Sequence, residues 1–186
     1  MQNNERTCAI AYSINLLGDK WTLLILRDVI LHQKSRFGEF QNSREKIASN
    51  ILTNRLKMML EEGFLEFLDP AATKKSRRYI ATAKGMSVLP IIIELYLFSI
   101  DSIEQENLDD AQKKFKKEIT QNRKRLVQKR KAGYEDFLCE LKKGWWIAKG
   151  PTVHFLLLKG KNYIDGTAAL SPPLDHRSNS LLHQPG

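Results

Sequence analysis

The chain has 186 residues, 42% hydrophobic and 27% charged, which gives room for one compact domain with extensions and excludes a disordered or fibrous class. A formal net charge of +9, with a pI of about 9.6, favours a polyanionic partner. Two unpaired cysteines, Cys8 and Cys139, exclude a disulfide framework and a cysteine zinc site, and the N-terminus lacks the pattern of a secretory leader, so a cytoplasmic protein is expected.

In chain order, Ala9–Leu17 reads as a short helix closed by Gly18-Asp19. A second helix is predicted over 21–31, where Trp21, Leu24, Ile25 and Val29 recur at helical spacing. Ser35 is the expected N-cap of a third helix running to Ser43, with Phe37 and Phe40 inward. The segment 47–62 is two-faced. Ile47, Ile51, Leu52, Leu56, Met59 and Leu60 line one side, and Ser49, Asn50, Thr53, Asn54 and Lys57 line another. Gly63 follows where a left-handed cap is wanted.

Residues 64–69 and 77–82 have strand character and enclose a basic loop, which predicts a β-hairpin. Thr82 is placed to cap a helix from 83 to about 102, with a kink expected at Pro90. The run from Val88 to Phe98, interrupted by Pro90 and Glu94, falls short of the roughly 18 residues of a membrane span, so no membrane association is expected. Its apolar residues nonetheless surround the helix, and a subunit interface would bury them, so a homodimer is predicted. Residues 104–131 are highly charged, with a thin stripe of Leu108, Phe115, Ile119 and Leu126. A break is expected at Gly133 before a second amphipathic stretch over 134–143. The predicted division is therefore a domain over 1–105, a charged helical extension over 106–143, and a poorly ordered tail over 144–186.

The order of elements predicts a mainly α fold with a small β-hairpin: a winged helix-turn-helix with a C-terminal helical extension. In such a frame 47–62 would enter the DNA major groove, held out by the helix that Arg36 begins. Ser49, Asn50, Thr53 and Asn54 offer donors, acceptors and a methyl group to base edges, and Arg55 and Lys57 suit phosphate or guanine. Lys74, Lys75, Arg77 and Arg78 would lie along the backbone or in a minor groove, and Arg36 is grouped with these contacts. The rival reading is a winged-helix protein-protein interaction module that docks through 113–131. No Walker loop, dinucleotide fingerprint or nucleophile elbow is present, and the four histidines lack ligand spacing, so no catalysis, cofactor or metal is expected.

The stretches GDKWTLLILRDVI, RFGEF, IASNILTNRL, EEGFL and the Tyr79–Gly85 segment together resemble the HxlR-type regulators, MarR-related winged-helix transcription factors of bacteria and archaea. The resemblance spans about residues 7–101, and it implies a homodimer packed through its first and last core helices on a partly palindromic operator. A dimeric repressor or activator is expected, with repressor the preferred sign. It departs at Ala48, where a serine is frequent, at Ala81, where leucine is usual, and in the wing, which reads KKSRRY. Cys8 falls where many relatives carry a cysteine. In some relatives that thiol senses oxidants, and a helix start can activate it, so the resemblance implies a thiol sensor. The alternative is a small packing residue beside the dimer interface, with a small-molecule effector controlling occupancy. Cys139 is expected to be structural.

Overall fold

The computed structural model describes residues 8–149. Helices α1 (Ala9–Leu17), α2 (Lys20–Leu31), α3 (Phe37–Gln41) and α4 (Ser49–Glu61) precede an antiparallel hairpin of β1 (Leu65–Phe67) and β2 (Tyr79–Ala81). Then follow α5 (Ala83–Met86), α6 (Leu89–Ile100), α7 (Asp110–Gln121) and α8 (Arg123–Lys149). This is the mainly helical winged-helix architecture that the sequence predicts.

Local chemistry sets most boundaries. The Asp19 carboxylate accepts from the amides of Trp21 (2.8 Å) and Thr22 (3.3 Å) and starts α2, whose Ile25, Leu26, Val29 and Ile30 are buried. In α4, Leu52, Leu56 and Met59 recur every three to four residues and enter the same core. Gly63, with φ of +70°, terminates α4 as expected. Ile51 departs from expectation: it lies on the flank of α4 and is exposed. At the other end of α4, Ala48 is the N-cap and has no side chain to satisfy the free amides, although its extended backbone suits a capping residue. Ala48→Ser is therefore expected to stabilise the protein by about 1 kcal/mol, read as a rise of a few degrees in Tm.

Four expectations need correction. Arg36, not Ser35, is the N-cap of α3, because the Glu39 carboxylate reaches back to the amides of Ser35 (2.7 Å) and Arg36 (2.9 Å) and leaves Ser35 buried behind it. Pro90 does not kink a long helix. The chain stops at Met86 and restarts at Leu89, so Pro90 stands in the first turn, where its missing amide costs nothing. Gly133 does not break the extension, since α8 runs through it and the break falls at Asn122. Cys139 is exposed on α8, not structural. The tail predicted from Gly144 has its first residues in α8, and from 150 onward it lies outside the described residues.

By length and composition Ala83–Ile100 could cross a membrane, which the interrupted apolar run did not suggest. It is divided between α5 and α6, however, and Leu89, Ile92, Ile93 and Ile100 pack into the core.

The hairpin register is Leu65↔Ala81, Glu66↔Ile80 and Phe67↔Tyr79. On the outer edge of β2, the Tyr79 amide donates to the Ser35 carbonyl (2.7 Å), and the Ala81 amide donates to the hydroxyl oxygen of Tyr134 (2.7 Å). One edge donor is thus satisfied by the loop after α2, the other by α8. The strands are shorter than predicted because the chain turns after Leu68. Asp69 is buried there and accepts from the Ala71 amide (3.0 Å).

The extension folds back onto the domain. Ile119, Leu126 and Tyr134 join the core formed by Leu26, Val29, Leu56 and Leu89. Phe115 meets Tyr96 edge-to-face, and the Tyr96 hydroxyl donates to the Gln112 carbonyl (2.8 Å). Gln33 donates to the Gly133 carbonyl (3.1 Å), which pins the middle of α8 to the end of α2.

Candidate nucleic-acid interface

The platform for α4 is a buried carboxylate. Asp28, on α2, is contacted by Lys34 (2.9 Å), Arg27 (2.7 Å) and the hydroxyl of Ser43. Lys34 also donates to Ser43 (2.7 Å), and Arg27 reaches Glu45 (2.6 Å). These bonds tie α2 to both sides of the turn between α3 and α4, and so fix how α4 leaves the body of the domain. Burial alone would raise the Asp28 carboxyl, but Lys34, Ser43 and Arg27 together hold it below its ordinary range. Sequence reasoning missed this cluster. Its only signal was the charge pattern of Arg27-Asp28 and Lys34 around an apolar helix.

On α4, Ser49, Asn50, Thr53, Asn54 and Lys57 are all exposed. The Thr53 hydroxyl donates to the Ser49 carbonyl (2.8 Å), so its proton is engaged within the helix. Lys57 lies 3.8 Å from Glu61 in a solvated pair of the kind that contributes little to stability. Arg55 is placed differently from the expectation. Its guanidinium pairs with Asp19 (2.9 Å), only a quarter of the side chain is exposed, and it serves to clamp α4 against the start of α2.

Arg36 is exposed at the start of α3. In the wing the four cations divide. Lys74 and Lys75 are exposed at the tip. Arg77 stacks over Phe67 (4.9 Å) and donates to the Ala72 carbonyl (3.3 Å), whereas Arg78 donates to the Ser35 hydroxyl (2.8 Å). These arginines shape the wing before they reach any ligand. Burial, and after it the nearby charge of Arg36, lower the Arg78 pKa, so the start of α3 and the base of the wing share a positive field, while the α4 face offers amide and hydroxyl groups to solvent.

The HxlR-like helix-turn-helix family pattern matches residues 16–107, the segment that contains this platform, α4 and the wing. The protein is a transcriptional regulator of the HxlR type.

Relatives of the HxlR-type chain are themselves described as helix-turn-helix regulators. The HTH-type transcriptional regulator sll1512 of Synechocystis sp. is 26% identical over 102 residues, covering 55% of this chain and 75% of that protein. An HTH-type transcriptional regulator of Methanothermobacter thermautotrophicus is 29% identical over 92 residues, covering 50% and 70%. Among solved structures, PA1374 of Pseudomonas aeruginosa, described as a candidate transcription factor, is 34% identical with a TM-score of 0.40, over 55% of this chain and 68% of that one.

Two further features stand out on the outer helices of the HxlR-type chain. Cys8 is exposed at the start of α1, where the backbone amides of Ala11 and Ile10 lower its thiol below the ordinary value. Large apolar side chains stand in solvent on two helices: Ile10 (71% exposed), Tyr12 and Ile14 on α1, and Ile91, Leu95 and Phe98 (85% exposed) on α6.

Proposed function

We propose that the protein is a cytoplasmic, homodimeric repressor that reads duplex DNA with α4. One helix enters each half-site of a partly palindromic operator, the half-sites lying about one helical turn apart. The observation that carries the reading is the outer face of α4: five exposed polar or cationic side chains, with the exposed Ile51 only at their flank, on a helix held out by α2 and α3. Asn50 and Asn54 present amides suited to adenine, Ser49 and Thr53 add hydroxyl groups, and Lys57, Arg36, Lys74 and Lys75 take phosphates. Arg55, Arg77 and Arg78 act by positioning α4 and the wing. The exposed apolar residues of α1 and α6 support the dimer, because large solvent-facing apolar groups spaced along a helix face mark association surfaces. A small molecule or an oxidant at the accessible Cys8 thiol would act by altering the angle between subunits, and an occupied operator would exclude polymerase.

The test is selection of bound sequences from a random duplex pool by the full chain, alongside Asn50→Ala/Thr53→Ala/Asn54→Ala and Phe98→Glu. Enrichment of a two-fold-related site is expected. The α4 variant should lose about 100-fold or more in preference, from three base-edge contacts each worth about 1–3 kcal/mol. Phe98→Glu should sediment as a monomer and lose cooperative occupancy. An unenriched pool, or an α4 variant selecting the same site equally well, would sink the proposal.

A further inference from the structure

The HxlR-like match ends at residue 107, and the helices beyond it have an electrostatic character of their own. Residues 111–134 hold ten lysines and arginines against one carboxylate, Glu118. That excess equals the formal net charge of the whole chain, +9, so the remaining residues balance to zero. Residues 1–100 hold fourteen lysines and arginines against ten carboxylates, which the acidic stretch 101–110 offsets, so the largest local excess of positive charge lies in α7 and the first half of α8.

Part of this charge is neutralised internally. Lys116 pairs with Asp101 (2.7 Å), Arg123 with Glu94, and Lys129 and Arg130 converge on Glu118 (3.1 and 3.2 Å). Lys113, Lys117, Lys124, Arg125 and Lys131 are exposed and have no acidic partner among the described residues. Lys113 and Lys117 are one turn apart on α7, and Lys124 and Lys131 are two turns apart on α8. Like charges at such spacing repel, so the arrangement favours an external polyanion.

The chemistry of the surface selects among partners. Protein interfaces are built around aromatic and apolar anchors and are depleted in lysine. Here Phe115, Ile119, Leu126 and Tyr134 are all turned into the domain, which leaves no such anchor among the lysines. A helix lying on a membrane surface needs an apolar face to insert, and the same residues are the ones already used. Duplex phosphates require only long, mobile, unpaired cations. We propose that the α7–α8 surface is a second, sequence-independent contact to duplex DNA, engaging phosphates outside the bases read by α4. The inference rests on the DNA-binding reading of α4.

The test compares the full chain with Lys113→Gln/Lys117→Gln/Lys124→Gln/Arg125→Gln, titrated over a salt series against a labelled random-sequence duplex of about four helical turns. The slope of log affinity against log salt is expected to fall in magnitude by about 3.6, since each of the four phosphate contacts contributes about 0.9, with at least about a tenfold loss of non-specific affinity at physiological salt. The charge-retaining variant Lys113→Arg/Lys117→Arg/Lys124→Arg should keep the wild-type slope. An unchanged slope in the glutamine variant overturns the inference. So does a loss confined to single-stranded RNA of the same length. A wild-type chain that enriches a specific site while the glutamine variant keeps its slope removes the α7–α8 contact alone. A wild-type chain that binds no duplex removes the α4 reading with it.

Discussion

Replacing Tyr134 by alanine is expected to destabilise the protein by about 3–5 kcal/mol, the range for deleting a large buried aromatic side chain. Tyr134 is 1% exposed, it packs among side chains of the winged-helix core, and its hydroxyl oxygen accepts the Ala81 amide. The substitution therefore opens a cavity and orphans a strand donor together. Tyr134→Phe separates the two effects: it keeps the ring and removes only the acceptor, at an expected cost of about 1–3 kcal/mol. Urea unfolding followed by circular dichroism checks both, and equal midpoints for wild type and Tyr134→Ala would show that α8 is not part of the core. The pH dependence gives an independent reading. Burial pushes the Tyr134 hydroxyl up to about 12, against an ordinary value of 10 in the unfolded chain. The unfolded state thus loses its proton first, and the contribution present below pH 10 is lost as pH rises towards 12. Tyr134→Phe should lack that alkaline loss.

The second large effect is expected at Asp28. Asp28→Asn removes the charge on which Lys34 and Arg27 converge, and breaking such a buried pair from one side costs about 3 kcal/mol. The figure is taken at the low end because the two cations keep about a quarter of their side-chain exposure. The sign of the pH dependence is opposite to that of Tyr134. The folded carboxyl is held below its ordinary value, so the stabilisation is present above the unfolded pKa and is lost as pH falls through the depressed one. Wild type and Asp28→Asn should therefore differ in urea midpoint near neutrality and converge in acid. A constant difference across that range would contradict the role assigned to the charge. Because the cluster also fixes the turn before α4, the variant is expected to weaken DNA binding beyond its effect on folding.

Local patterns made much of this fold legible. The apolar spacing of Leu52, Leu56 and Met59, the left-handed Gly63 and the capping Thr82 are each decided by neighbours within a turn, and the structure shows all three as the sequence implies. The failures share a different cause. Gly133 reads as a helix breaker because glycine costs about 1 kcal/mol in a helix, but burial of Tyr134 next to it and the bond from Gln33 outweigh that penalty. Arg55 looks like another cation of the α4 face until Asp19, far away in sequence, takes it. Ile51 fits the apolar stripe by counting, yet it sits at the stripe's edge, where the core does not reach. Asp28 alone says nothing, and its meaning depends on Lys34 and Ser43 returning to it. In the candidate site the sequence could nominate cations, but it could not tell those turned to solvent from those, like Arg77 and Arg78, that hold the wing together.

The bond from Ala81 to Tyr134 also orders events during synthesis. The wing is translated well before its partner on α8, 53 residues later. Until that helix leaves the ribosome, β2 carries an unsatisfied amide on an open strand edge, the kind of template on which nascent chains pair wrongly with one another. The growing polypeptide thus passes through a window in which its sheet is built but unsealed. Arrival of the later helix closes that window and makes a segment translated after the wing a condition for the wing to be safe from aggregation.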